Sequence, residues 1–121
     1  MTSERVRVKR VYEAAARGDG ARLLVDRLWP RGLRKEDADF EWHKELAPST
    51  ELRRFYGHVP ERFDEFAKRY RDELRAADAA DALAHVRSLA RRRPVTLLTA
   101  TKDVDHSGAA VLADVVRGRR R

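Results

Sequence analysis

One short stretch of the sequence combines a carboxylate, two guanidinium groups and an indole: residues 26–32, which read Asp-Arg-Leu-Trp-Pro-Arg-Gly. An apolar run, residues 23–25, comes directly before it, so these side chains are expected in a loop where a buried strand ends. Arginine binds carboxylates and phosphates through two parallel hydrogen bonds. The sequence therefore predicts that Arg27 and Arg31 bind an anionic group, with Asp26 orienting a guanidinium or acting as a general base. An ion pair between Asp26 and Arg27 that only fixes the loop is the structural alternative.

A second polar segment stands in the same relation to an apolar run. Residues 95–100 read as a buried strand, and the next six residues are Thr-Lys-Asp-Val-Asp-His. Lys102 and Asp103 are interpreted as an electrostatic pair in which the lysine also offers a point charge to an anion, with an ordinary loop salt bridge as the alternative. His106 is the second candidate, after Asp26, for a general acid or base. Because both segments follow buried strands, we expect them to share one site.

The last predicted helix begins next to this second segment. Ser107 and Gly108 stand at its start, where free N–H groups and the positive end of the helix dipole favour an anion. Gly108 has no side chain to keep a ligand away from the backbone, and Asp105 is a natural helix cap. The sequence therefore predicts that Ser107 and Gly108 contribute to the same anion site as Lys102 and Asp103.

No motif in the sequence specifies a reaction. Asp103, Asp105 and His106 carry oxygen and imidazole groups, but they lack a recognised metal-ligand spacing and lie among cations, so no metal site is predicted. A P-loop, a nucleophile elbow and a dinucleotide fingerprint are all missing, and no cofactor is expected. Adjacency of His106 and Ser107 does not make a nucleophile pair. Whether the site is catalytic stays open.

The elements that must position these side chains indicate an α/β fold. Strands are predicted at residues 5–11, 22–28, 38–43 and 95–100, and the helices between and after them are marked by apolar spacing and by caps. The helical signals are a cap at Ser49 or Thr50 with an end at Gly57, Pro60 before the apolar series up to Leu74, the series from Leu83 to Ala90, and the series from Ala109 to Val116 with Gly118 after it. We expect a single small domain with a mainly parallel sheet of about four strands and helices packed on its faces.

The same segments carry a resemblance to a known family. The matching blocks are Lys9-Arg10-Val11-Tyr12, Leu24 to Gly32, Ala47-Pro48-Ser49 with Leu52-Arg53, His58 to Leu74, and Leu97 to His106. Together they resemble the YeaO-like branch of the domain-of-unknown-function 488 family. The resemblance implies a small intracellular bacterial or archaeal α/β domain with no accepted reaction. His106-Ser107-Gly108 stands where similar proteins commonly have His-Asn-His, so a second histidine is missing from this chain.

Length and composition describe a small basic protein. The chain has 121 residues, no cysteine and a formal net charge of +7, so one domain over residues 1–121 and attraction to anions are expected. Basic runs at residues 91–93 and 117–121 are interpreted as solvated ends, the latter as a flexible tail. Residues 1–10 lack the apolar region of a secretory signal, and no apolar run could cross a membrane. A soluble cytoplasmic protein without a membrane partner is expected.

These observations favour a polar, cationic pocket at strand ends that binds a small anionic or phosphorylated molecule and acts on it or only holds it. Its predicted residues are Asp26, Arg27, Arg31, Lys102, Asp103, His106, Ser107 and Gly108. A nucleic-acid-binding module that uses the same arginines on phosphates is the first alternative. A protein-interaction domain with a purely structural motif is the second. A concave cluster of charge would favour the small molecule, whereas a stripe continuous with the basic runs would favour nucleic acid.

Overall fold

The computed structural model describes residues 5–118 and shows one parallel sheet, as predicted. Its strands are β1 (Val6–Arg10), β2 (Ala21–Leu24), β3 (Glu41–Trp42) and β4 (Val95–Thr99), in the spatial order β1-β4-β2-β3. The register pairs Val95 with both Val6 and Ala21, so β4 lies between β1 and β2 and is buried along its whole length. A continuous apolar run of this kind is what a central parallel strand requires. The loops that follow β1, β2 and β4 therefore leave the sheet at one edge.

Four helices occur where the sequence predicts them, between residues 5 and 118. They are α1 (Thr50–Tyr56), α2 (Phe63–Glu73), α3 (Ala77–Arg92) and α4 (Gly108–Arg117). Ser49 caps α1 by accepting a hydrogen bond from the Leu52 N–H at 3.1 Å, and Gly57 ends it in a left-handed conformation. A 3₁₀ turn at Pro60–Arg62 leads into α2. Local caps and turn residues thus explain most of the helix boundaries.

The two faces of the sheet are covered differently. Buried residues of all four helices pack with Val95 and Leu97 in the larger apolar cluster, whereas Leu98 faces a smaller one. That smaller cluster contains no helical residue among those described; its cover is Trp29, Leu33, Phe40 and Trp42. Helices therefore pack on one face, and the long connection between β2 and β3 covers the other. Large aromatic rings in this connection provide the apolar area that a helix would otherwise supply.

All four strands are shorter than predicted, and the difference is largest for β2 and β3. β2 ends at Leu24, although the Val25 N–H still donates to the Leu98 carbonyl at 3.1 Å. β3 has two residues rather than six, because the alternation at residues 38–43 reflects packing of rings more than strand pairing. Phe40 and Trp42 each place their ring 5.4 Å from the Trp29 ring. An apolar-polar alternation can arise from an extended loop that packs on a sheet as well as from a strand.

A buried charge network holds the turn before β2. Asp19 is 1% exposed and its carboxylate pairs with Lys9 at 3.1 Å and with Arg22. Burial alone would raise the pKa of Asp19, but hydrogen bonds from the Ala16 N–H and from Lys9 and Arg22 outweigh it and lower the pKa. The sequence shows residues 17–20 only as a turn. The conformation of this turn depends on the ion pairs of Asp19 with Lys9 and Arg22, which the turn signal alone does not indicate.

The end of α4 fixes the start of the predicted basic tail. Arg117 belongs to the helix, ion-pairs with Asp114 at 3.5 Å and donates a hydrogen bond to the Val6 carbonyl. Residues 119–121, the rest of that predicted tail, lie outside the described part of the chain. Within the described residues, no helix has the length and apolar character needed to cross a membrane.

Candidate functional site

A cleft of about 760 Å³ lies where the loops after β1, β2 and β4 leave the sheet. The start of α4, the end of α1 and the turn after α1 complete its wall. Its lining includes every predicted site residue: Asp26, Arg27, Arg31, Lys102, Asp103, His106, Ser107 and Gly108. The structure thus brings the two strand-end segments together, because the ends of neighbouring parallel strands share one edge of the sheet.

Asp26 joins the β2 loop to the end of β4. Its carboxylate accepts a hydrogen bond from the Ala100 N–H at 2.8 Å, and its carbonyl accepts one from the Trp42 indole at 2.8 Å. Burial raises the pKa of Asp26, and the hydrogen bonds from Ala100 and Thr99, with the charge of Arg53, only partly oppose this. A carboxyl group with a raised pKa in a cleft is a recurring property of functional sites.

Arg27 does not form the ion pair with Asp26 that was the structural alternative for this loop. Its Nε donates to the Pro48 carbonyl at 2.8 Å, and no carboxylate among the described residues lies within ion-pair distance of its guanidinium. The Asp26 carboxylate is instead turned toward the Ala100 N–H at the end of β4. Arg27 therefore ties the β2 loop to the segment before α1.

Arg31 and Lys102 have exposed side chains with no protein partner between residues 5 and 118. The Arg31 backbone is nevertheless held, because the Tyr12 hydroxyl donates to its carbonyl at 2.9 Å. This hydrogen bond connects the β2 loop with the end of β1, across the position of β4 in the sheet. Both cations are therefore available to a ligand, and one of them is on a fixed backbone.

Asp103 pairs with His106 and not with Lys102, which corrects the predicted electrostatic pair. The Nδ1 of His106 lies 2.9 Å from the Asp103 carboxylate. The imidazole ring also packs edge-on against Phe63, with the ring centroids 5.0 Å apart. The 3₁₀ turn at Val104–His106 brings the two side chains together because residues three apart align on such a turn. A carboxylate that holds Nδ1 orients the imidazole in the way a general base requires.

Ser107 and Gly108 cap and pack the start of α4. Ser107 is 2% exposed and caps α4, since its Oγ accepts from the Ala110 N–H at 3.1 Å and donates to the Val104 carbonyl at 2.6 Å. Ser107 thus takes the cap position predicted for Asp105. A Cβ on Gly108 would lie 3.3 Å from Pro48 Cγ, so the glycine permits close packing. What stays available is the backbone N–H of Gly108, which has no intrahelical acceptor at this position.

Several cleft residues were missed from the sequence. Arg53 and Arg54 come from the last turn of α1, and Arg10 and Tyr12 from the end of β1. His58, in the turn after α1, has a left-handed backbone with φ of 58°. Such a conformation is uncommon in a residue other than glycine and is often found at functional positions. Among these residues, only Arg10 and Tyr12 could have been assigned to the cleft from the sequence, because they lie at the end of a predicted strand.

Basic side chains outnumber acidic ones in the lining of the cleft. Six arginine or lysine side chains line it, against two aspartates, so its field attracts negative charge. The hydroxyls of Tyr12, Tyr56 and Ser107 each donate to a backbone carbonyl and are poorly placed to act as nucleophiles. Among residues 5–118, no group of three histidine, aspartate or glutamate side chains is arranged to hold a metal ion.

The second basic region of the described chain is at the opposite edge of the sheet. Residues 91–93 directly precede Pro94 and the start of β4, whereas the cleft lies beyond the end of that strand. Five strand residues separate these edges by about 16 Å. α4 also connects the two edges: it begins at the cleft and ends at Arg117, near the start of β1. The cleft cations and residues 91–93 thus lie at opposite edges of the sheet.

Comparison with known proteins yields one family and several close relatives. The model of the family DUF488-N3i, described as the inactive DUF488-N3 subclade, matches residues 5–120. Uncharacterized proteins of Mycobacterium tuberculosis and Mycobacterium bovis are each 56% identical over 116 residues, which cover 95% of this chain and 96% of theirs. The uncharacterized protein YeaO of Escherichia coli is 43% identical over 114 residues, covering 93% of this chain and 96% of its own. No solved structure matches the chain significantly.

Proposed function

The chain belongs to the DUF488 family, in its inactive N3 subclade, and we propose that its cleft binds a small anionic or phosphorylated molecule without converting it chemically. The main observation behind this proposal is that two cationic side chains, Arg31 and Lys102, have no protein partner among the described residues. They lie in a cleft where basic side chains outnumber acidic ones. Unpaired charges at the wall of a concave site are free to form charge-assisted hydrogen bonds with a ligand.

Two further features support an anion over a cationic or neutral ligand. The guanidinium groups of Arg53 and Arg54 approach the same space from α1. The start of α4 adds a helix dipole and the Gly108 N–H, which favour negative charge. The cationic side chains provide the main attraction for an anion, and the start of α4 adds to it.

Binding without catalysis is favoured because the side chains that could react are buried or already hydrogen-bonded. Ser107 is buried as a helix cap, and Gly108 has no side chain. The pair Asp103–His106 could accept a proton, but the hydroxyl beside it is already hydrogen-bonded to the Val104 carbonyl. The description of the matching subclade as inactive agrees with this picture. With no cysteine in the chain, the proposed setting is the reducing cytoplasm.

Calorimetric titration with pyrophosphate tests the proposal. Arg31→Ala and Lys102→Ala should each weaken binding by about tenfold, the effect of removing one charge-assisted hydrogen bond. Lys68→Ala and Arg93→Ala are matched controls, since both side chains are exposed and neither lines the cleft. Equal affinity in all four variants would reject the cleft as the anion site.

Nucleic-acid binding stays a prediction with a separate signature. Affinity for DNA or RNA should fall with about one power of salt concentration per neutralised phosphate and should depend on the basic residues 119–121. Deleting these residues should leave pyrophosphate binding unchanged. Tight, salt-sensitive nucleic-acid binding that is lost with the tail would favour the alternative over the cleft.

A further inference from the structure

The structure also indicates what else the ligand carries. Resting on the proposed function, we propose that the ligand is an anion with a planar ring, as in a nucleotide, and that the ring is held by Tyr12 and Leu28 while Arg31 and Lys102 hold the anionic group. The ring and the anionic group would thus be bound in the same cleft and not at two separate sites.

The distribution of exposed apolar side chains is the first observation. In the described chain, two large hydrophobic side chains are exposed, Tyr12 at 43% and Leu28 at 59%. Both line the same cleft. Exposed apolar groups that gather at one concave site, and not singly over the surface, mark a place where apolar surface is covered on binding.

The second observation is that Tyr12 is held in place while exposed. Its hydroxyl donates to the Arg31 carbonyl at 2.9 Å, and the Arg10 guanidinium lies 4.9 Å from the ring centroid. A ring fixed at its hydroxyl and on one face loses little conformational entropy when a ligand stacks on its remaining surface. Tyr12 is thus a rigid platform rather than a mobile surface side chain.

Leu28 approaches from the loop after β2, between two anchored neighbours. Asp26 is tied to Ala100, and the Trp29 indole donates to the Leu33 carbonyl at 2.6 Å. Since β4 lies between β1 and β2, Tyr12 and Leu28 come from the loops on either side of its end. A flat group bound above the end of β4 would therefore lie between the two loops that carry these side chains.

The position of Arg31 links the apolar contacts to the cations. Its backbone is bonded to the Tyr12 hydroxyl, so its side chain starts from beside the platform. One molecule of nucleotide size can therefore contact the ring and the guanidinium together. The cleft volume of about 760 Å³ falls within the range of sites for such molecules and is far larger than one phosphate needs.

Three related probes separate the contributions: AMP has a ring and an anion, ribose 5-phosphate has the anion alone, and adenosine has the ring alone. By calorimetry, AMP should bind at least about tenfold more tightly than ribose 5-phosphate, as one stacked base contributes. Adenosine should bind more weakly than either phosphate. Equal affinities for AMP and ribose 5-phosphate would overturn the inference and leave the proposed function standing, whereas no binding of either phosphate would overturn both.

Variants of the platform sharpen the test. In the double variant Tyr12→Ser/Leu28→Ser, the affinity ratio of AMP to ribose 5-phosphate should fall to about one. Tyr12→Phe is the matched control, because it keeps the ring and loses only the hydroxyl; its ratio should stay within about twofold of the wild type. Using the ratio cancels any loss of anion affinity from a shifted Arg31. An undiminished ratio in a double variant that melts like the wild type would place the ring elsewhere and refute the inference.

Discussion

Replacing Asp26 with asparagine should strengthen anion binding, although Asp26 is one of the predicted site residues. Its carboxylate accepts the Ala100 N–H at 2.8 Å, and an amide oxygen can accept the same bond. What the substitution removes is a negative charge in the wall of a cationic cleft. Asp26→Asn therefore separates the charge of this residue from its role in holding the loop.

The size of the effect follows from the dimensions of the cleft. A cavity of about 760 Å³ treated as a sphere is about 11 Å across, so an anion held between its centre and the wall opposite Asp26 is about 6 to 11 Å from Asp26, and about 8 Å is near the middle of this range. At an effective dielectric constant of about 40, the repulsion between two unit charges at this distance is about 1 kcal/mol. At a pH above the raised pKa of Asp26, affinity for a singly charged anion should then be about fivefold higher in Asp26→Asn than in the wild type.

The pH dependence has a definite sign. Burial raises the pKa of Asp26 above its ordinary value of 3.8, so the folded protein binds this proton more tightly than the unfolded chain. Asp26 therefore lowers stability as pH rises from 3.8 through the raised value, and the loss is complete above it. Asp26→Asn should be at least as stable as the wild type at pH 7, and any advantage should disappear below pH 3.8.

Calorimetry at matched ionic strength and thermal melting between pH 3 and 8 measure both effects. Asp26→Ala is the control, because it leaves the Ala100 N–H without its acceptor and should cost about 1–3 kcal/mol of stability. Weaker anion binding by Asp26→Asn would refute the reasoning, since it would mean that the carboxylate itself contacts the ligand as an acceptor or base.

Two further predictions separate structure from binding. Ser107→Ala should cost about 1 kcal/mol in denaturant unfolding through loss of the α4 cap, with pyrophosphate affinity within about twofold of the wild type; a large loss of affinity with little loss of stability would show that Ser107 binds the ligand. Asp19→Ala should cost about 3–5 kcal/mol above the ordinary carboxyl pKa, because it leaves Lys9 and Arg22 without their buried partner. Because the folded-state pKa of Asp19 is lowered, this cost should shrink as pH falls through that lowered pKa, and a cost independent of pH would contradict the assignment.

Much of the fold could be predicted from local sequence signals. The continuous apolar residues 95–99 indicate a central strand, and Ser49, Gly57 and Gly118 mark helix boundaries through caps and left-handed turns. β3 was overestimated because Phe40 and Trp42 alternate with polar residues for the sake of packing on Trp29. An alternation of apolar and polar residues indicates which side chains are buried. It does not show whether the segment forms the backbone hydrogen bonds of a strand.

The convergence of the two polar segments was also predictable, since both follow neighbouring parallel strands. Their individual contacts were not: Asp103 binds His106, and Arg27 binds the Pro48 carbonyl. These partners depend on the directions of loops, which sequence spacing does not determine. The contribution of Arg53 and Arg54 was missed because it requires knowing how α1 lies beside the sheet edge.

The most direct test of the central claim is a ¹H–¹⁵N NMR titration of the full chain with AMP, which reports where the ligand binds. We predict saturable shifts of the backbone amides at residues 27–31 and 101–109, around the cleft, with little change at residues 91–93 at the other edge of the sheet. Shifts concentrated at residues 91–93, or shifts that do not saturate, would contradict an anion-binding cleft.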